Sequence, residues 1–352
     1  MRRTVIAALL STAGAAALAQ QSVTVYGAVD TYLGYGKSGS TFKQTRLNEG
    51  GHVASQLGFR GSEELGGGLK ASFLLEAGVS TDTGNGNIPG PSLSFTRQAW
   101  VGLSGNWGNL QLGRQYTPLF RTTWRADPLG ANSIFAPLIL WAQVDGQDGL
   151  LPWAARSDNA VMYTSPSGLP ISGSVMFAPG EAASPASSSG RYLGGNLSYE
   201  SGPIFVGYAI QQRKSGSAAA PVASPSTSTS QAIAASFEVP LFRVGGSYGV
   251  QDSDLPTVKK ATLIHVHGQF NITPLHAVVA SYGIRDVSGS DRDQSSLLVG
   301  YNHLLSKRTM LYARALLLKN DGKASVSLGG VTVAPNSGND ASLYGVGVLH
   351  RF

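Results

Sequence analysis

The sequence predicts an all-β fold, a transmembrane antiparallel β-barrel of 16 strands. Three observations carry that expectation. Alternating runs of about ten residues, apolar on one face, recur along the chain, the length at which a tilted strand crosses a bilayer. The connections between them alternate between short and long. The two ends read as an export signal and a closing strand.

At the start, Arg2 and Arg3 precede the apolar run Val5 to Leu10, a small-residue stretch and Ala17-Leu18-Ala19. This is the charged region, short apolar region and A-x-A site of a secretory signal peptide, too short to remain as a membrane helix. Cleavage is expected after Ala19, which assigns residues 1–19 to the signal and 20–352 to one barrel domain. Without residues 1–19 the chain has 333 residues, 24 basic and 20 acidic side chains, and a net charge of +4. That charge is too small and too dispersed for a nucleic-acid partner. Cysteine is absent, which excludes disulfides and thiolate metal sites. After the signal there is no apolar stretch of 18 residues, so an exported chain of mean hydropathy +0.00 is either soluble or a barrel.

Short connections are expected at Glu63–Gly68, Gly105–Asn109, Ser165–Leu169, Ser201–Pro203, Pro240–Leu241, Asn271–Pro274 and Leu305–Lys307. Long ones are expected at Gly36–Gly51, Ser80–Ser94, Tyr116–Ala155, Pro179–Gly190, Lys214–Ser230, Asp252–Lys260, Asp286–Asp293 and Lys319–Ala341. Short turns on one side and long loops on the other are the asymmetry of an outer-membrane barrel. The stretch Ser215–Ser230 is Ser/Ala/Pro-rich and suits a solvated loop. The last strand reads Leu343 to Phe352 and puts Tyr344, Val346, Val348, His350 and Phe352 on one face. Pairing it with the first strand would leave no open edge in lipid. Aromatic residues such as Tyr26, Tyr32, Tyr35, Tyr199, Tyr208, Phe270, Tyr282, Tyr301 and Tyr312 lie near strand ends or mid-strand. They fit either interfacial girdles or packing.

Three motifs suggest chemistry and are set aside. Gly245-Gly246-Ser247-Tyr248-Gly249 matches G-x-S-x-G but lies within an alternating strand, without the strand-turn-helix context a hydrolase needs. His265 and His267 share a strand face, with His276 across the next turn; no third ligand is evident, so neither a metal nor any other cofactor is expected. Gly84-Asn85-Gly86-Asn87 sits on an expected outer loop, away from any nucleotide-binding context.

Several segments together resemble the general diffusion porins of Gram-negative bacteria. They are Val23–Asp30, Leu57–Lys70, Arg97–Gly105, Leu112–Tyr116 and Tyr163–Pro166, in the family's order. Leu304–Tyr312 and the terminal His350-Arg351-Phe352 are similar to the β-proteobacterial branch. The resemblance implies an outer-membrane homotrimer surrounded by lipid, and a passive channel for small hydrophilic solutes and ions. It also implies a third loop folded into the lumen. That loop, Tyr116–Ala155, is far longer than an ordinary connection and carries Trp124, Phe135, Ile139, Leu140, Trp141 and Trp153, which must pack somewhere. Matched to the family, Arg97 and Arg156 fall where wall arginines line the constriction, and Arg114 and Arg60 are further candidates. Gln56 stands where the family commonly has arginine. Asp127, Asp145 and Asp148 are the loop's acids. Weak anion preference is therefore expected. The resemblance also implies that Phe352 is read by the barrel-assembly machinery. A substrate-selective channel and, from another class, a barrel enzyme such as an outer-membrane lipase are the alternatives; the latter needs a Ser/His pair at one lipid-facing strand end, which does not stand out.

Overall fold

The computed structural model describes residues 22–86, 94–127, 129, 133–142, 155–327 and 329–352. The expected signal segment and loop acids Asp145 and Asp148 lie outside these residues.

Among the described residues, seventeen strands form one closed antiparallel sheet. They are β1 (Ser22–Ser38), β2 (Phe42–Glu49), β3 (Gln56–Gly66), β4 (Leu69–Gly78), β5 (Gln98–Gly105) and β6 (Gly108–Tyr116), then β7 (Arg156–Thr164), β8 (Ile171–Ala178), β9 (Tyr192–Ser201), β10 (Ile204–Lys214), β11 (Thr227–Glu238) and β12 (Phe242–Ser253). The last five are β13 (Ala261–Thr273), β14 (His276–Val287), β15 (Gln294–Leu304), β16 (Thr309–Asn320) and β17 (Ala341–Arg351). Each pairs with its sequence neighbours, except at the seam. There β1 pairs with β17 along one edge, from Ala28 opposite Arg351 to Ser38 opposite Ala341. Along its other edge, β1 pairs with β2 in its second half and with β3 in its first. Strands β2 and β3 are thus one interrupted stave, and the barrel has the expected 16 staves.

Side chains alternate around the wall. In β10, Ile204, Val206, Tyr208 and Ile210 face out while Phe205, Ala209 and Gln211 are buried inside. The outward set continues through Val161, Leu197, Ile233, Val266, Val299 and Val346, all exposed. A soluble protein rarely shows so extended an apolar surface; a lipid-facing band must. Of the aromatic residues considered above, Tyr35, Tyr199, Tyr208, Phe270, Tyr282 and Tyr301 belong to this outer face, whereas Tyr32 and Tyr312 are buried inside.

The first expected long loop, Gly36–Gly51, is not a loop. Strand β1 runs on to Ser38, turns at Gly39 with φ +54°, and returns as β2. The irregularity comes later, at residues 50–55, where the stave breaks and turns into the barrel. Asp30 holds this break: its Oδ2 accepts the N–H groups of His52 (2.7 Å) and Val53 (2.6 Å), and Tyr312 Oη donates to its Oδ1. Gly50, with φ +80°, makes the turn. A Cβ on Gly51 would collide with Tyr312 Oη.

The third loop folds inward. Helix α1 (Pro118–Ala126) starts at an N-cap Thr117, whose side chain accepts from the Phe120 N–H at 3.3 Å, and has proline in its first turn, where no N–H is needed. It packs against β8–β12, while the 3-10 turn Pro137–Ala142 packs against β13–β15. Phe135, Leu138 and Leu140 are fully buried, and Phe135 meets Tyr32 edge-on at 5.2 Å. The wall makes room for them with glycine: a Cβ on Gly283 would sit 3.1 Å from Pro137 Cβ. Between helix and turn the loop is tied to the broken stave, Ser133 Oγ donating to Gly51 O (2.8 Å) and Ile134 N–H to Gly50 O (2.9 Å).

Candidate pore constriction

Three of the four arginines singled out from sequence belong to one continuous interior network. The Arg60 guanidinium lies 5.2 Å from the centre of the Tyr26 ring. Tyr26 Oη donates to Glu76 Oε2 at 2.8 Å, and Arg97 Nε donates to Glu76 Oε1, also at 2.8 Å. Arg97 Nη2 then donates to Tyr116 Oη at 2.9 Å, and Arg156 Nη2 donates to the same oxygen at 2.9 Å. Arg156 also lies over the Tyr116 ring, 4.5 Å from its centre. The ladder runs from β3 through β1 and β4, across the start of β5, to the end of β6 and the start of β7.

The local chain explains each position. Tyr26 and Glu76 sit at inward positions of β1 and β4. Arg97 immediately precedes β5, and its N–H bonds Glu76 O at 3.1 Å, which places the two side chains together. Tyr116 and Arg156 are register partners at the outer ends of β6 and β7, so the loop's two stems meet at this pair. Tyr116 continues into the loop itself, stacking on Phe120 at 4.8 Å with 10° between planes; Trp124 completes the cluster. Glu76 and the two tyrosines were not recognised as site residues from sequence. A readable signal existed for Glu76, a lone carboxylate at the end of the apolar run Ala71 to Leu75, at the parity of an inward position.

Charges in the ladder are unequal. Arg97 is only 3% exposed and is neutralised by Glu76. Arg60 and Arg156 have aromatic partners and no carboxylate within the ladder. Arg114 stands apart, bonded to Thr96 O and ion-paired with Asp158.

Asp127, the loop acid among the described residues, does not meet the ladder. It caps the C-terminal end of α1, where its N–H bonds Trp124 O, and its carboxylate lies near His265 and His267 on β13. Of the two arginines of α1, Arg125 is held on this side: it pairs with Glu200, and its carbonyl accepts from Arg243 Nη2 at 2.6 Å. The G-x-S-x-G segment 245–249 is mid-strand in β12, register-paired with β11 and β13, so the sharp strand-to-helix turn that a nucleophilic serine requires is absent there.

Comparison with known proteins gives a consistent picture. The family model described as Gram-negative porin matches residues 4–323. Outer membrane porin protein 32 of Delftia acidovorans is 30% identical, with both chains covered in full, and an outer membrane porin of Bordetella pertussis is 28% identical, also over the whole of both chains. Among solved structures, an anion-selective porin from Comamonas acidovorans superposes with a TM-score of 0.83 at 28% identity, covering 95% of this chain and 100% of that one. The trimer form of OmpT, a Vibrio cholerae outer membrane protein, shares the fold with a TM-score of 0.65 at 13% identity, over 94% of this chain and 99% of that one.

Proposed function

Because the chain belongs to the Gram-negative porin family and is an outer-membrane channel for passive diffusion, we propose that its selectivity is set by the Arg60–Tyr26–Glu76–Arg97–Tyr116–Arg156 ladder and that it weakly favours anions. One observation supports this above others. Three guanidiniums face one carboxylate, which leaves a net of two positive charges on one arc of the inner wall. Rings of fixed charge bias ion passage, and a charge within a Debye length of ~8 Å is felt by a permeating ion. The bias is weak because Glu76 cancels Arg97 and because Gln56 supplies no charge. The anion-selective relative from Comamonas acidovorans is consistent with the same sign.

Further parts of the reading rest on family likeness. The functional unit is a homotrimer in outer-membrane lipid. The signal is cleaved after Ala19, leaving 20–352 as the barrel. Arg114, Asp145 and Asp148 contribute to the field around the narrowest point, and Phe352 is read by the barrel-assembly machinery. Small hydrophilic solutes and ions are the cargo, and the protein acts as a channel rather than an enzyme.

The deciding experiment is the zero-current potential of the purified protein in planar bilayers under a KCl gradient. Mild chloride preference is expected, falling when Arg60 and Arg156 are both changed to Ala. Potassium preference in the parent protein, or an unmoved potential in the double variant, would remove the ladder from the selectivity mechanism.

A further inference from the structure

Across the lumen from the arginine ladder, His265 and His267 project from β13 onto one inward face, 2% and 6% exposed, with ring centres 5.5 Å apart. The sequence alone supplied two imidazoles and no third ligand. Folding supplies it: Asp127, 3% exposed at the end of α1, brings a carboxylate such that one donor atom from each residue lies within 4.8 Å of the others.

Both ring nitrogens of His267 are buried without a hydrogen-bond partner. That is costly for a group that carries one donor and one acceptor when neutral. A metal ion would satisfy one of them. Supporting contacts exist for the other two residues. His265 Nε2 lies 2.8 Å from Ser281 Oγ, and Asp127 Oδ1 accepts the Leu129 N–H at 3.0 Å. Such partners orient ligands and conserve their geometry through binding.

We propose that Asp127, His265 and His267 form a site for a divalent transition metal of the zinc class, which pins the end of α1 to the barrel wall. Two imidazoles and one carboxylate suit zinc, copper or nickel and leave a fourth position for water. Bonds of 2.0–2.1 Å place tetrahedral ligand atoms about 3.4 Å apart, so metal binding draws together donor atoms that now lie within 4.8 Å of one another. Among the described residues this is the cluster in which three ligand side chains converge; the His276–His303 pair on β14 and β15, with Nδ1 atoms 3.2 Å apart, lacks a third there. Arg243, on β12 beside the strand that carries His267, opposes any cation here. Its charge is partly balanced by Glu238 at 3.7 Å and by the Arg125 carbonyl. This opposition discriminates against calcium and magnesium, whose binding is chiefly electrostatic, and in favour of metals that bond to nitrogen.

The test is zinc chloride titration of the tag-free, chelator-stripped protein in detergent, by calorimetry, with the heat-induced unfolding transition followed in parallel. One saturable zinc per chain is expected, along with a zinc-dependent rise of the transition. His267→Ala should weaken binding at least tenfold, His265→Ala with His267→Ala should abolish it, and Ser281→Ala should weaken it about tenfold. His276→Ala with His303→Ala should leave it intact. Should the histidine variants fail to fold, Asp127→Asn keeps the side-chain shape and is expected to lose most of the affinity. Absence of saturable binding, or binding lost with His276 and His303 but kept without His265 and His267, overturns the site.

Discussion

Arg97 and Arg156 each donate an Nη2 proton to the same phenol oxygen, Tyr116 Oη, at 2.9 Å. Two guanidiniums on one acceptor repel each other. The arrangement stands because Glu76 neutralises the first and the face of the Tyr116 ring lies under the second. Fixed charge is thereby held on the wall with little freedom to swing.

Tyr116→Phe separates geometry from charge. It removes an acceptor shared by two cations, and bonds to charged groups contribute about 1.5–3 kcal/mol each. The heat-induced transition should fall, and conductance should become noisier as Arg156 loosens. No formal charge changes, so the zero-current potential should stay near its parent value. A large shift in that potential would mean the ladder's charge depends on more than its arginines.

Arg97→Ala and Arg156→Ala should both move the zero-current potential toward cations, by unequal routes. Arg156 leaves behind a neutral phenol. Arg97 leaves Glu76 buried without its counter-ion, with the Tyr26 hydroxyl still donating to it, and breaking such a buried pair costs about 3–5 kcal/mol. Unfolding temperature should therefore drop far more for Arg97→Ala, and adding Glu76→Gln should recover most of the loss. Equal destabilisation by the two single substitutions would contradict the pairing.

Phe135→Ala should widen the passage. The ring is fully buried against Tyr32, and truncating such a side chain costs about 3–5 kcal/mol. Most of that cost falls on loop docking, since the hydrogen bonds of the wall remain. Single-channel conductance and uptake of larger sugars should both rise. Unchanged conductance would show that this part of the loop does not limit the lumen.

Phe352→Ser should reduce outer-membrane insertion while export continues. The main chain of Phe352 exchanges two hydrogen bonds with Gly27, at 3.1 and 3.2 Å, which serine retains, so the variant isolates the role of the ring. Membrane fractionation with antibody detection measures it, and parent-level insertion would dismiss the proposal.

Strands were legible wherever lipid imposes the two-residue period, and short turns wherever Gly, Pro and Asn interrupt it. The failure at Gly36–Gly51 has the same origin. Strand β1 spans 17 residues, more than a bilayer needs, so its upper part and β2 stand in water on their outer side. Phe42–Glu49 then carries no apolar alternation and reads as a loop. The break at residues 50–55 was unreadable for another reason: its cause is Asp30, about twenty residues earlier, and Tyr312, at the far end of the chain. Likewise the wall arginines were accessible by family position, while their partners Glu76 and Tyr116 depended on which strands become neighbours. Asp127 was noticed as a loop acid, and only the fold sends it to β13.

The path of the third loop has a mechanical consequence. Helix α1 lies against β8–β12, the 3-10 turn against β13–β15, and Ser133 and Ile134 reach the broken stave. Much of the circumference is therefore a laminate of two plies, and on the arc from β3 to β7 the described side chains add a cross-brace of their own, the ladder from Arg60 to Arg156. The two sides of the opening are thus held by different means, apolar docking of the loop on one and a chain of hydrogen bonds and ion pairs on the other, so detergents and salts should loosen them separately.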